Sequence, residues 1–227
     1  MEITFISDTH WLVSDQSKLD ELNELLPGGP CIVHAGDVSG RGTEREIRLF
    51  LDWFHKLPYM HKILIAGNHD FFFEVAKPEE VQALLAEYPG ITYLNDSGVT
   101  IEGIKFWGSP VTPEFHNWAF NRFENEIGAH WDLIPEEVDV LITHGPPHGV
   151  LDKTIREGWS VGCKQLLAKV DQIKPQVHVF GHIHEGMGQI KIGNTLFINA
   201  SMVDERYSMY YENPPIIWVE PKTQSLV

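Results

Sequence analysis

Cysteine is scarce in this 227-residue sequence. Cys31 and Cys163 are the only two, and they form no CxxC pair. That sparseness does not fit a disulfide-stapled secreted domain and reads as two reduced thiols in a cytoplasmic protein. Basic charge is also in short supply, with 17 Lys plus Arg against 32 Asp plus Glu and a net charge of -15. So acidic a surface repels polyanions and argues against a long nucleic-acid groove, although a metal centre can reverse the field locally for a small anion. No apolar stretch approaches the ~18 residues of a spanning helix, so no membrane partner is expected, and no leader pattern precedes the first apolar run at Ile3. Linker-like Pro/Gly/Ser runs, internal repeats and low-complexity segments are missing too. With 43% hydrophobic residues, 1–227 reads as a single domain with a full core.

What is present is a rhythm. Short apolar runs at Ile3–Ile6, Cys31–Ala35 and Lys62–Ala66 read as strands, separated by helical patterns over Ser17–Leu26 and after Thr43. Thr43 and Glu46 have the spacing of a capping box, and Ile47, Phe50, Leu51 and Phe54 follow on one helical face. A third helix is expected over Glu79–Tyr88. This β-α-β-α-β order implies a buried parallel sheet. The runs at 91–94, 99–101 and 104–107, split by Asp96-Ser97-Gly98 and Glu102-Gly103, read as hairpins. Val138–Thr143 and Val177–Phe180 restore the strand pattern with a helix between them. A hairpin around Gly193-Asn194 and a last strand at Ile216–Val219 follow. The class is α/β, with two packed mixed sheets flanked by helices.

Five of these strands run directly into metal-ligating residue types. They are followed by Asp8-Thr9-His10, Gly36-Asp37, Gly67-Asn68-His69-Asp70, His144-Gly145-Pro146-Pro147 and Gly181-His182-Ile183-His184. The carboxyl ends of parallel strands are where α/β sheets bind ligands. Asp8 and His10 stand at i and i+2, which aims both the same way from an extended segment, and His182 and His184 repeat the spacing. Mixed Asp, Asn and His donors suit Mn²⁺, Fe, Zn²⁺ or Ni²⁺ rather than an all-oxygen Mg²⁺ or Ca²⁺ shell. Seven candidate ligands (Asp8, His10, Asp37, Asn68, His144, His182 and His184) exceed one tetrahedral ion but suffice for two divalent ions if Asp37 bridges. Such a pair clamps an in-line displacement at phosphorus, with a hydroxide between the metals as nucleophile. His69 is then free to assist at the leaving oxygen, and Asp70 to orient His69. Arg41 and His148 are further candidates for contacting a small phosphorylated substrate, and Asn199 and Ser201 are weaker ones. The aromatic stretch Phe115, Trp118, Phe120, Phe123 reads as core more readily than as a stacking platform.

The blocks DTH at 8–10, GD at 36–37, GNHD at 67–70, HGPP at 144–147 and GHIH at 181–184 resemble the calcineurin-like metallophosphoesterase superfamily in order and separation. Stretches such as YLNDSGVTIEGIKFWGSPVTP, THGPPHGVLD and HVFGHIHEG are similar to its small metallophosphoesterase-domain branch, related to cyclic-nucleotide phosphodiesterases. The resemblance implies a four-layer α/β/β/α sandwich. It also implies one metal on Asp8, His10, Asp37 and His184, a second on Asp37, Asn68, His144 and His182, and a catalytic His69. Asp70 stands where the superfamily usually has Glu. His182, which some animal members of the branch lack, is present and favours a complete pair. The function expected is hydrolysis of a phosphodiester, with cyclic nucleotides among the candidates, or of a phosphomonoester. The rivals are a Ser/Thr protein phosphatase, which needs an open peptide groove, and a decayed nucleotide-binding or scaffold protein.

Overall fold

The computed structural model describes residues 1–155, 158–209 and 213–222. The elements follow in chain order. They begin with β1 (Glu2–Ile6), α1 (Gln16–Glu24), β2 (Gly29–His34), α2 (Glu44–Lys56) and β3 (Tyr59–Leu64). Next come α3 (Phe71–Val75), α4 (Pro78–Ala86), β4 (Ile91–Tyr93), β5 (Ser97–Ile101) and β6 (Ile104–Ser109). A short pair, β7 (Thr112–Pro113) and β8 (Asn121–Arg122), precedes α5 (Glu124–Asp132), β9 (Val140–Thr143) and α6 (Lys164–Ile173). The chain closes with β10 (Val177–Phe180), β11 (Gly188–Ile192), β12 (Thr195–Asn199) and β13 (Ile216–Trp218). No helix among the described residues is long and apolar enough to cross a membrane.

Two mixed sheets result. The first has the order β13-β1-β2-β3-β4, and the second β11-β12-β10-β9-β6-β5. In the first, β1 to β4 are parallel and only β13 runs antiparallel. In the second, β12, β10, β9 and β6 are parallel, with an antiparallel strand at each edge. The central strands are apolar on both faces because both faces are covered. Ile3 and Phe5 of β1 meet Phe106, Val140, Val179 and Ile198 between the sheets. Ile6, Ile32 and Leu64 point the other way, into α1, α2 and α4. Leu141, Phe180 and Phe197 do the same on the far side, against Ile127 and Trp131 of α5 and Leu166 and Val170 of α6. The layers are therefore α/β/β/α, as expected.

Local chemistry explains the helices that the pattern predicts. Thr43 accepts from the Glu46 amide at 3.3 Å, and Glu46 accepts from the Thr43 amide at 3.0 Å, closing the capping box. All four apolar residues of the predicted α2 face are fully buried. The middle of the chain differs from the expectation. Glu102-Gly103 does turn a hairpin between β5 and β6, but Asp96-Ser97-Gly98 does not turn one. β4 pairs parallel with β3 in the first sheet, and the chain then leaves for the edge of the second. Asp96, in the left-handed region at φ 44, takes part in that crossover, so the segment joins the two sheets. Both cysteines are free and buried, and burial, followed by the charge of Glu102, pushes the Cys31 thiol up to about 12.

Candidate metal centre

The parallel order of β1, β2, β3, β9 and β10 gathers their carboxyl ends along one rim of the sandwich, and the ligand-bearing loops meet there. The Asp8 amide donates to the Gly36 carbonyl at 2.9 Å, the His10 amide to the Asp37 carbonyl at 3.1 Å, and the His69 amide to Asp37 Oδ1 at 2.8 Å. Across the two sheets, the His182 amide donates to the Asp8 carboxylate at 3.1 and 3.2 Å. Two glycines permit this approach. A β-carbon at Gly67 would collide with Asp37 and His144, and one at Gly181 with Asp8 and Ser7. Asp8, His10, Asp37 and His182 all hold left-handed backbone, at φ 55, 40, 56 and 68. Four non-glycine residues in that region within one site are strain of the kind that functional centres hold in place.

Donor atoms converge in two groups. Those of Asp8, His10 and His184 lie within 4.8 Å of one another, as do those of Asp37, His144 and His182. A third set, His10, Asp37 and His69, links the groups, sharing His10 with the first and Asp37 with the second. The imidazoles are aimed by main-chain oxygens. Nδ1 of His10 lies 3.1 Å from the Ser39 carbonyl, that of His69 2.8 Å from Gly40, that of His144 2.9 Å from Ala35, and that of His184 3.0 Å from Asp204. A carbonyl can only accept, so Nδ1 carries the proton in each ring and Nε2 is turned to the centre. His184 Nε2 is 3.4 Å from both His10 Nε2 and Asp8 Oδ1, and His144 Nε2 is 2.9 Å from Asn68 Oδ1 and 3.3 Å from Asp37 Oδ2.

The electrostatics ask for positive charge at both points. Burial would raise the carboxyl of Asp8, but the hydrogen bond and charge of His184 hold it well below the carboxylate range. Burial likewise opposes ionisation of Asp37, and the charge and hydrogen bond of His144 outweigh it. On the imidazole side, burial disfavours the cation, yet Asp37 lifts His144 to about 9. His10 and His182 go the other way, pushed down by burial to about 4 and about 3, which keeps them neutral as metal ligands must be. A proton on His144 Nε2 therefore sits among Asn68 Oδ1 and Asp37 Oδ2, where a divalent cation would meet the same atoms. The donor set fits two cations, with Asp8, His10 and His184 around one, Asn68, His144 and His182 around the other, and Asp37 between.

All seven proposed ligands and His69 thus lie together. Asp70 does not take the role expected of it. Its carboxylate accepts from Val38 N at 3.1 Å, Ser39 N at 3.0 Å, Ser39 Oγ at 2.7 Å and Gly67 N at 2.8 Å. It ties the Asp37 loop to the Asn68 loop, while the Gly40 carbonyl orients His69. Burial and the nearby Asp37 raise Asp70 to about 6.

Arg41 and His148 lie off the main cavity. Arg41 is exposed at the turn leading into the Thr43 cap, beside a smaller cavity of about 350 Å³ that touches His10. His148 lines a neighbouring cavity of about 520 Å³, with Nδ1 3.8 Å from Asp152. Asn199 works indirectly: it donates to the Ile183 carbonyl at 2.7 Å and so supports the loop of His182 and His184. Ser201 donates to the Val203 carbonyl at 3.3 Å.

The main cavity, about 610 Å³, opens over Asp37, Asn68, His69, His182 and His184. The aromatic stretch divides there. Trp118 stacks on His69 at 4.3 Å and Phe115 stands 5.0 Å from His182, whereas Phe120 is core and Phe123 is exposed. Tyr207 went unnoticed in the sequence. Its ring meets His10 at 4.9 Å and His184 at 5.3 Å, edge to face. No motif marks it, since a lone tyrosine on a loop has no spacing signature.

The profile of the calcineurin-like phosphoesterase family matches residues 1–186. The chain belongs to that family. Among its relatives, metallophosphoesterase domain-containing protein 1 of Homo sapiens is 38% identical over 233 aligned residues, covering 93% of this chain and 68% of that protein. UPF0046 protein K07C11.7 of Caenorhabditis elegans is 34% identical, covering 98% and 76%. A solved structure of phosphopantetheinyl hydrolase (PptH) from Mycobacterium tuberculosis shares the fold at a TM-score of 0.66. It covers 98% of this chain and 97% of its own, but at 16% identity the likeness is one of fold alone. The two helix-flanked mixed sheets are those of the calcineurin-like phosphoesterase fold, and the His/Asp groups at their rim are its candidate metal ligands.

Proposed function

We propose that this calcineurin-like phosphoesterase hydrolyses small phosphodiesters on a two-cation centre, with His69 assisting departure of the leaving group. The single observation that carries the reading is the pair of donor groups linked through His10 of one and Asp37 of the other. Bound there, two divalent cations would supply an activated water at neutral pH and neutralise charge on the phosphoryl oxygens. His69, its Nδ1 held by Gly40, meets the substrate through Nε2 and, in its protonated form, donates that proton to the departing oxygen as the phosphorus–oxygen ester bond breaks. Trp118, stacked on the ring, keeps it from rotating and limits water access.

The cavity wall supports a diester over a monoester. Among the described residues it carries no Lys or Arg, and it does carry Glu114, Glu185 and Glu205. A monoester dianion or a phosphopeptide would call for a guanidinium fork, whereas a diester brings a single negative charge. Cyclic nucleotides are among the diesters that fit this description. Cytoplasmic residence goes with the reading, supported by the two buried free thiols.

The test is a panel of bis-p-nitrophenyl phosphate, p-nitrophenyl phosphate and cyclic nucleotides, each with Mn²⁺, Ni²⁺, Zn²⁺ and Fe²⁺. Diester turnover that a chelator abolishes, with two metal equivalents bound, is the expected result. His69→Ala should lower kcat by about 10²–10⁴-fold while metal content stays at two. Undiminished hydrolysis by Asp37→Ala, or a clear preference for the monoester, would overturn the proposal.

A further inference from the structure

Beyond the donor groups of the centre, the main cavity carries three carboxylates, Glu114, Glu185 and Glu205, that a phosphate alone gives no use. Glu114 and Glu205 are exposed at the cavity and Glu185 is half-buried. Among the described residues no ion pair engages Glu114 or Glu185, and Glu205 has only its chain neighbour Arg206, at 3.7 Å and itself 82% exposed. These carboxylates face solvent, so they bias the cavity mouth against anions and towards cations by a modest, salt-screened field. The cavity walls are aromatic. Trp118 and Tyr207 flank His69, with ring centroids 4.3 and 6.4 Å from its own, and Phe115 lies beyond at His182. Carboxylates next to aromatic rings make an environment that repels anions and attracts cations, because the π faces carry negative potential and prefer a weakly hydrated ammonium. One ligand chemistry satisfies both ends of such a cavity: a negative phosphate at the metal end and a positive group at the rim.

We infer that the cavity selects phosphodiesters whose retained substituent carries an ammonium group, held between the Glu114 and Glu205 carboxylates and the rings of Trp118 and Tyr207. The inference rests on the reading of the centre as a phosphodiesterase. The cation contributes to binding and orientation and takes no part in bond breaking.

The experiment compares p-nitrophenylphosphorylcholine with its uncharged isostere, p-nitrophenyl 3,3-dimethylbutyl phosphate, on the Mn²⁺-loaded full chain. The two share a leaving group and differ only in the fixed charge. We expect kcat/KM for the choline ester to exceed that of the isostere by at least about tenfold, chiefly through KM. The advantage should shrink as NaCl is raised, since the rim is open to solvent. In Glu114→Gln/Glu205→Gln the ratio should fall to about threefold or less, and in Trp118→Leu it should fall as well. Because the ratio is read within each variant, partial loss of activity does not obscure it. Ratios at or below one in the wild-type protein, with both esters turned over, would overturn the inference and leave the phosphodiesterase reading standing. Failure to hydrolyse either ester or bis-p-nitrophenyl phosphate would instead overturn the phosphodiesterase reading and, with it, this inference.

Discussion

The two sheets contribute different chemistry to one centre. Loops from the first sheet bring the carboxylates and the amide, Asp8, Asp37 and Asn68, together with His10 and His69. Those from the second bring only imidazoles, His144, His182 and His184. The first half is held by strain and by a buried tie, since three of its ligands have left-handed backbone and Asp70 joins two of its loops through three hydrogen bonds and closes its own loop with a fourth. Anchoring through Nδ1 to carbonyl oxygens is common to both halves, at His10 and His69 in the first and His144 and His184 in the second, and His182 adds a left-handed residue to the second. Notably, the His144 anchor is Ala35, a residue of the first sheet's own loop. The carboxylate half therefore positions itself and also positions part of the imidazole half.

That asymmetry can be broken experimentally, and Asp37 is where the effect should be largest. Asp37→Ala should lower kcat/KM by more than about 100-fold and reduce bound metal below two equivalents, because loss of a ligand exceeds the usual cost of losing its support. Asp70→Ala should come next. Removing the carboxylate leaves the Gly67, Val38 and Ser39 amides unpaired, which should lower stability by about 3 kcal/mol in urea melts of the metal-free protein and loosen both metals. Phe54→Ala, in the helical layer and remote from the centre, should cost about 3–5 kcal/mol of stability while leaving the number of bound metals at two.

Taken per pH unit, the smallest effect comes from two buried histidines. His178 and His34 are buried, one on each sheet, and burial depresses each to about 3. Below the unfolded value of 6.5 the unfolded chain takes up a proton that the folded chain refuses. Stability should therefore fall as pH drops from about 6.5 towards 3, by roughly 1.4 kcal/mol per pH unit for each histidine. His178→Gln should remove one such increment from the slope of urea midpoints between pH 6.5 and 5. An unchanged slope would place the proton uptake elsewhere.

Much of this was legible in the sequence because it depends on local pattern. Strand ends followed by Asp, Asn and His mark all seven candidate ligands and His69, and the Thr43–Glu46 spacing marks a helix start that the structure reproduces. What failed depends on long-range placement. The segment at 96–98 has turn residues whether it closes a hairpin or crosses between sheets, and only the partner of β4 decides. α5 was invisible because Ile127 and Trp131 are its only buried apolar residues and Gly128 interrupts it. Asp70 looked like a partner for its neighbour in sequence, yet its hydrogen bonds reach 31 and 32 residues back to Ser39 and Val38. Tyr207 and the four carbonyl anchors have no side-chain signature at all.

Those carbonyl anchors determine how the centre can be damaged. Every residue type has a main-chain oxygen, so replacing the side chain at Ser39 or Asp204 does not by itself remove the group that fixes the histidine tautomer. Shifting the peptide plane does. Insertions, deletions or proline substitutions in these loops should therefore disable the enzyme more readily than side-chain exchanges at the anchor positions.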